Sequence, residues 1–334
     1  MTEPLEGPTR APAGPPAAPG LFRFVTEGRR APGLFVVGWL ATIVGLAPIS
    51  VAALSQDAVS RSIFGVLGLA VLAVGLLLLA GSQAIERRAA GVPYAGPSPV
   101  LVLGIVYCVA NVAAYVVGTG LQLSGVSPDR PVIELVLILI QAAAFLGVVR
   151  LVVVGPGALG WSDMGIRGDL RAISAGLLGG VLFAGPVILV TTIVGLLAIT
   201  IAGATPPSPL PPTGTPAGLA LHFVAGGLIA PIYEEILLRG VALSAWLRSV
   251  DPATAIVRSS LLFVLVHLMA IGADTAGEAA AMAFVAAIVR LPVAFALGWL
   301  YVRTGTLWAP IGLHMAFNTV LIAIGETAAS SAAA

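Results

Sequence analysis

The sequence predicts an all-α protein, a polytopic transmembrane helix bundle of about nine spans, and three observations carry that prediction. Hydrophobic residues make up 58% of the 334-residue chain and charged residues only 9%, where a soluble domain averages about a quarter charged. The mean hydropathy is +1.05. The apolar residues fall in runs close to the ~20 needed to cross the hydrocarbon of a bilayer, and short segments with Arg, Pro and Gly separate them. The net charge of +1 leaves no basic field for nucleic acid, so no nucleic-acid partner is expected; the lipid bilayer is the partner that composition demands. The single Cys108 rules out an internal disulfide and any cysteine metal cluster, and its apolar setting suits a small hydrophobe.

In chain order, residues 1–32 are rich in Pro, Ala and Gly and read as a disordered tail. No apolar core follows a short basic start, so the tail is not read as a cleavable signal. The spans are placed at 34–54, 63–84, 100–117, 132–154, 173–202, 217–238, 253–271, 278–300 and 307–324. The fifth is too long for one straight crossing and holds Pro186, which predicts a kink or an interfacial start. The eighth is interrupted by Arg290 and Pro292. No repeat of period ~20–50 recurs. The chain therefore divides into a tail (1–32), an N-terminal region of four spans (33–154), a second membrane region (155–325) and a short tail (326–334).

All 16 cations are Arg, a trait of genomic composition. Their placement orients the bundle. With the N-terminus inside, Arg10, Arg23, Arg29, Arg30, Arg87, Arg88, Arg150, Arg167, Arg171, Arg248, Arg258 and Arg303 lie on the cytoplasmic side, and only Arg61 and Arg130 lie opposite. This is a strong positive-inside signal for an integral protein of a bacterial plasma membrane with a cytoplasmic N-terminus.

Polar residues inside spans are the functional candidates, because a charge in hydrocarbon is costly and faces a bundle interior or a wet cavity. The first four spans hold few: Asn111, Glu134 and Gln141. Glu134 sits near a span end and reads as a hydrated carboxylate. The second half is richer. Tyr233-Glu234-Glu235-Ile236-Leu237-Leu238-Arg239-Gly240 closes an apolar run. On a helix Glu235 and Arg239 are one turn apart with the acid first, the better order for an i,i+4 pair, while Glu234 points about 100° away. That leaves one acid held and one free for chemistry; the alternative is a charge cluster that merely ends a span. Phe263 and His267 share a helix face in a second run, and His314 and Asn318 share one in a third. The bland reading of His267 is a hydrogen-bonded core histidine, and that of His314 and Asn318 is an interhelical hydrogen-bond pair, worth about 0.6 kcal/mol on average. Counted from the cytoplasmic span ends at 1.5 Å per residue, Glu234, His314 and His267 lie at depths of ~6, ~10 and ~21 Å.

Glu-Glu-x-x-x-Arg, Phe-x-x-x-His and His-x-x-x-Asn, in that order on successive membrane helices, resemble the CPBP family of CAAX prenyl proteases and bacteriocin-processing (Abi) intramembrane peptidases. Residues 298–308, ahead of His314, and 160–167, Gly-Trp-Ser-Asp-Met-Gly-Ile-Arg, add to the likeness, which covers roughly 155–325. The resemblance implies a CAAX-protease-like C-terminal core. It implies that Glu234 and His267 activate a water, that Glu235 and Arg239 support them, that His314 and Asn318 form an oxyanion hole, and that Phe263 packs beneath. His222 and Arg290 match nothing in it.

The residue types agree with that chemistry. Peptide hydrolysis needs a base for water and donors for the developing oxyanion, and no Ser–His or Cys–His arrangement offers a covalent route. No His-Glu-x-x-His occurs; a Glu234/His267/His314 set on separate helices remains a zinc-binding alternative, and the resemblance to a glutamate-type mechanism favours no cofactor. The leading expectation is an intramembrane endopeptidase acting on a membrane-associated or lipidated protein or peptide at a cytoplasm-facing cavity. A non-catalytic scaffold or bacteriocin-immunity-type protein is the second. A proton-relay transporter is the third, with no repeated half to favour it.

Overall fold

The computed structural model describes residues 30–125, 130–269, 271 and 275–333, and every regular element among them is a helix. The expected tail lies, over residues 1–29, outside the described residues. Nine helices follow: α1 (Pro32–Leu54), α2 (Ala58–Ala89), α3 (Pro99–Leu123), α4 (Arg130–Val154), α5 (Leu170–Ala202), α6 (Pro216–Leu247), α7 (Pro252–Leu268), α8 (Ala276–Thr304) and α9 (Trp308–Ala333). Eight are long and apolar enough to cross a membrane; α7, at 17 residues, is the shorter ninth. The chain is an integral membrane helix bundle.

Local chemistry sets the helix ends. Asp57, Asp169, Thr215, Asp251 and Thr275 each cap a helix by accepting a backbone N–H two or three residues into the first turn. Pro32, Pro216 and Pro252 occupy first-turn positions, where a missing N–H costs nothing. At Asp251, hydrogen bonds from the Thr254 side chain and backbone hold the carboxyl below its ordinary range. Gly203 and Gly305 end α5 and α8 in the left-handed conformation.

The largest departures from the predicted spans are at the C-terminal ends of α6 and α9. α5 is one helix of 33 residues that contains Pro186, and α8 continues unbroken through Pro292. α6 runs on to Leu247 instead of stopping at residue 238. Glu234 therefore lies ~20 Å from that end, and not ~6 Å. The reason is that Glu235 and Arg239 satisfy each other inside the bundle, so the charges do not need to end the span. α9 likewise continues through the expected tail to Ala333, with Glu326 buried.

α6 is the hub. It touches α3, α4, α7, α8 and α9, and residues 233 and 235–245 are buried. α5 packs on α8 and α9 from outside, while α1 packs chiefly on α2 and leaves much of its apolar surface exposed, as a lipid-facing helix does. Between α5 and α9 the backbones nearly touch: a Cβ on Gly312 would fall on the Leu177 carbonyl, and one on Gly180 on the Ala309 carbonyl. The 160–167 segment folds onto the turn before α9. Gly165 (φ +76) accepts the Leu307 N–H at 3.1 Å, and Trp308 Nε1–H donates to the Arg167 carbonyl at 3.0 Å. Met164 is buried beneath Gly240 of α6.

Gly312→Val should destabilise the protein by about 1–3 kcal/mol, the usual cost of overpacking. Gly179→Ala, whose Cβ meets nothing within 4 Å, should leave the thermal midpoint in detergent unchanged. Equal shifts in the two variants would show that the α5–α9 contact is not this tight.

Candidate active site

The site is built from one buried ion pair outward. Arg239 Nη1–H donates to Glu235 Oε1 at 2.8 Å, and both side chains are fully buried. Three further helices close around the pair. Arg239 Nη2–H donates to the Ala294 carbonyl of α8 at 3.1 Å. The guanidinium lies 4.9 Å over the Phe263 ring of α7. Glu235 Oε1 also lies 2.9 Å from His314 Nδ1 of α9. Since Oε1 is a carboxylate oxygen already accepting from Arg239, the ring nitrogen is the donor. Glu235 Oε2 and Arg239 Nε have no hydrogen-bond partner among the described residues.

That bond fixes what His314 can do. With Nδ1–H committed to Glu235, Nε2 is turned toward Glu234, 3.8 Å from Oε2. Glu234 is the exposed member, its side chain 18% accessible against 4% for His314 and 0% for Glu235. One acid is thus locked and the adjacent one reachable.

His267 is half-buried and donates from Nδ1 to the Phe263 carbonyl at 2.8 Å, the carbonyl four residues back in its own helix. Its ring lies 4.5 Å from the Phe263 ring, which also faces His314 at 5.7 Å. One aromatic therefore carries both imidazoles and the guanidinium. His267 makes no described hydrogen bond to Glu234; the histidine paired with the acids is His314. Arg290 of α8 donates to the Ala286 carbonyl at 3.0 Å, and its charge acts on both Glu234 and His267. The sequence reading left Arg290 out; its signal was an arginine in the middle of an apolar run.

Asn318 has a more specific task than its spacing suggested. α6 is π-helical over Phe223–Ile229 and Ile236–Leu243, with Ala230–Glu235 α-helical between. In the first π segment the Ala230 N–H bonds the Ala225 carbonyl, so it is not available to Gly226. The next residue, Pro231, has no N–H to offer. The Gly226 carbonyl is left without a helical partner, and Asn318 Nδ2–H of α9 donates to it at 2.9 Å. The wide turn displaces the helix ladder next to the acids, as such turns do at functional sites.

From the N-terminal region, α4 reaches the residue beside Glu234. Tyr233 donates its hydroxyl to Gln141 Oε1 at 2.9 Å and packs edge-on against Phe145 at 4.6 Å. Sequence singled out Gln141 without a partner for it. Glu134 is not the hydrated carboxylate expected: it is held by His222, 2.7 Å from the ring.

The zinc alternative names Glu234, His267 and His314 as its ligands, on three separate helices. Among the described residues no three His, Cys, Asp or Glu side chains converge to hold one ion. In the Glu234/His267/His314 set, His314 and His267 each have one ring nitrogen engaged elsewhere. Two open clefts lie away from these residues. One, of about 330 Å³, is lined by Ser62, Asn111 and Tyr115; an apolar one of about 420 Å³ lies between Phe183 and Pro186 of α5 and Phe295 and Trp299 of α8.

Residues 216–320 match the family model of type II CAAX prenyl endopeptidase Rce1-like proteins. The match begins at the first turn of α6 and ends within α9, so it contains every site residue named from the motifs. No curated protein and no solved structure matches the chain.

Two stability measurements test this construction. Arg239→Met should cost about 3–5 kcal/mol, because it leaves a buried carboxylate unpaired, and adding Glu235→Gln should recover part of the loss. Asn318→Leu should cost about 1–3 kcal/mol for the unpaired Gly226 carbonyl. In a Pro231→Ala background, which supplies an N–H, that cost should fall to about half or less. An undiminished cost would remove the proline argument.

Proposed function

We propose that this chain, whose residues 216–320 match the type II CAAX prenyl endopeptidase Rce1-like family model, is an intramembrane endopeptidase of the CPBP/CAAX protease type. Its substrate is a membrane-associated or lipidated protein or peptide, and its site faces the cytoplasm. The observation that carries the reading is the paired acids: Glu235 buried and locked to Arg239 and His314, with Glu234 beside it and accessible.

In this reading Glu234 is the general base that takes a proton from the attacking water. His314, held by Glu235 through Nδ1, presents Nε2 to the same space. Once protonated there it donates to the developing oxyanion or returns the proton to the leaving amine, a division of labour suited to two coupled groups. His267 offers Nε2 as an acceptor that orients the water, its Nδ1–H being committed to the Phe263 carbonyl. Asn318 uses one amide hydrogen on Gly226 and retains a second for the substrate carbonyl. The fixed Arg239 charge balances that of Glu235, so that Glu234 is the one uncompensated acid of the pair in a low-dielectric interior. No step is assigned to a metal. Activity abolished by a zinc chelator and restored by zinc would replace this reading.

The non-catalytic alternative shares the cavity and differs in one result. In membranes of the native host, a protein terminus absent from both the deletion strain and Glu234→Gln is expected, and purified Glu234→Gln should cleave that substrate ~10²–10⁴ times more slowly than wild type, the range for losing a general base. A Glu234→Gln strain that retains full cellular function, with no terminus changed, would make the scaffold reading the better one.

A further inference from the structure

At the other end of α6 lies a second cluster of ionisable groups that the proposed hydrolysis does not use. His222, 1% exposed, stands between two carboxylates: Nε2 is 2.7 Å from Glu134 Oε2 of α4, and Nδ1 is 2.7 Å from Glu326 Oε1 of α9. The remaining oxygens are also taken. Glu134 Oε1 accepts from Arg130 Nε–H at 3.0 Å. Glu326 Oε2 accepts from the Gly214 N–H at 2.7 Å, the Thr213 N–H at 3.0 Å and the Thr213 hydroxyl at 3.2 Å. Glu134 and Glu326 both lie outside the family-matched residues 216–320, so the cluster is not part of that match.

Counting protons makes the cluster informative. A neutral imidazole has one N–H, and the other nitrogen carries a lone pair. Two ionised carboxylates at 2.7 Å from both ring nitrogens would set one oxygen lone pair against a nitrogen lone pair. Both contacts are satisfied only if the cluster holds one more proton than a neutral imidazole and two carboxylates. The outward oxygen of each carboxylate already accepts from an independent donor, Arg130 on Glu134 and the Gly214 and Thr213 groups on Glu326; these bonds favour both carboxylates as anions and put the extra proton on the ring. The charged and titratable groups in contact are Arg130 and Glu134 from α4, His222 from α6 and Glu326 from α9; the 203–215 connection contributes amides and hydroxyls.

We propose that Glu134, His222 and Glu326 form a proton-binding lock that fastens α4, α6, α9 and the connection before α6 at the end of the bundle away from the 160–167 segment. In the orientation above, that end faces outside the cell. With the proton bound, one imidazolium bridges two carboxylates and the three helix ends are joined. When the proton leaves, one of the two contacts turns repulsive and the α6–α9 or α6–α4 link opens. The helices joined are those that carry Glu234 and His314, so the lock couples external pH to the spacing of the candidate site's walls. The proposal does not depend on that site being a peptidase.

The test reads the proton and the lock, not proteolysis. The full chain in lipid nanodiscs, labelled with ¹⁵N-histidine, contains three imidazoles, and the His222 ring is the one shifted by both Glu134→Gln and Glu326→Gln. Both of its nitrogens should carry a proton at neutral pH, as the two carboxylate contacts require. As that ring loses its proton, hydrogen-exchange protection of residues 213–222 and 319–330, corrected for intrinsic rates, should fall about tenfold, the scale of one charge-assisted hydrogen bond. In either Gln variant the new amide donates to the ring, a neutral imidazole satisfies both sides, and protection should stay flat across the same pH range. A His222 ring with one unprotonated nitrogen at neutral pH, protection that ignores its titration, or Gln variants that keep the wild-type pH dependence would each overturn the proposal.

Discussion

The Glu235–Arg239 pair is the constraint on which the rest of the structure depends. A carboxylate and a guanidinium with no exposed surface lose their hydration, and their mutual attraction offsets that loss only when the remaining donors and acceptors are met. Here part of them is met from outside α6, by Ala294 of α8, by the Phe263 face of α7 and by His314 of α9, while Glu235 Oε2 and Arg239 Nε find no hydrogen-bond partner among the described residues. None of the four helices can slide or rotate without exposing an unpaired charge to hydrocarbon. The same pair also decides which acid is left over, since Glu234 is the neighbour that it does not consume.

A second rule follows from the solvent. In a membrane every backbone polar group must find its partner within the protein, and α6 breaks its own ladder at Pro231. The broken bond is repaired by a side chain from α9, so the proline, the π-helical turn and Asn318 form one device. It ties α6 to α9 one turn above the contact between Glu235 and His314. The contact of Ser259 Oγ with the Leu238 carbonyl at 2.8 Å does the same between α7 and α6. Polar side chains in this bundle are joints between helices, and the candidate chemistry occupies the joint that is still open to a substrate.

The four N-terminal helices do not contribute alike. α1 packs chiefly on α2 and is otherwise exposed. α4 is different: it meets α6 at Tyr233, beside Glu234, and at His222, near the opposite end. The working unit thus extends beyond the segment that resembles the protease family, and α4 bounds the site from a side that the motifs do not mention.

Class and local pairing were legible in the sequence because both are short-range. Composition and run length fixed a bundle of membrane helices, and the four-residue spacing of Glu235 and Arg239 predicted the ion pair that the structure contains, since helix geometry alone brings those groups together. The span ends were less legible: α6 outran its predicted limit because buried pairing removed the charge penalty that would have stopped it. The rest was set by tertiary structure. That His314 and not His267 stands beside the acids, that Asn318 serves Gly226, and that His222 joins Glu134 and Glu326 all depend on the depth and rotation of helices far apart in the chain. Those are fixed by packing between helix faces, and a one-dimensional pattern of polar residues does not specify which faces meet.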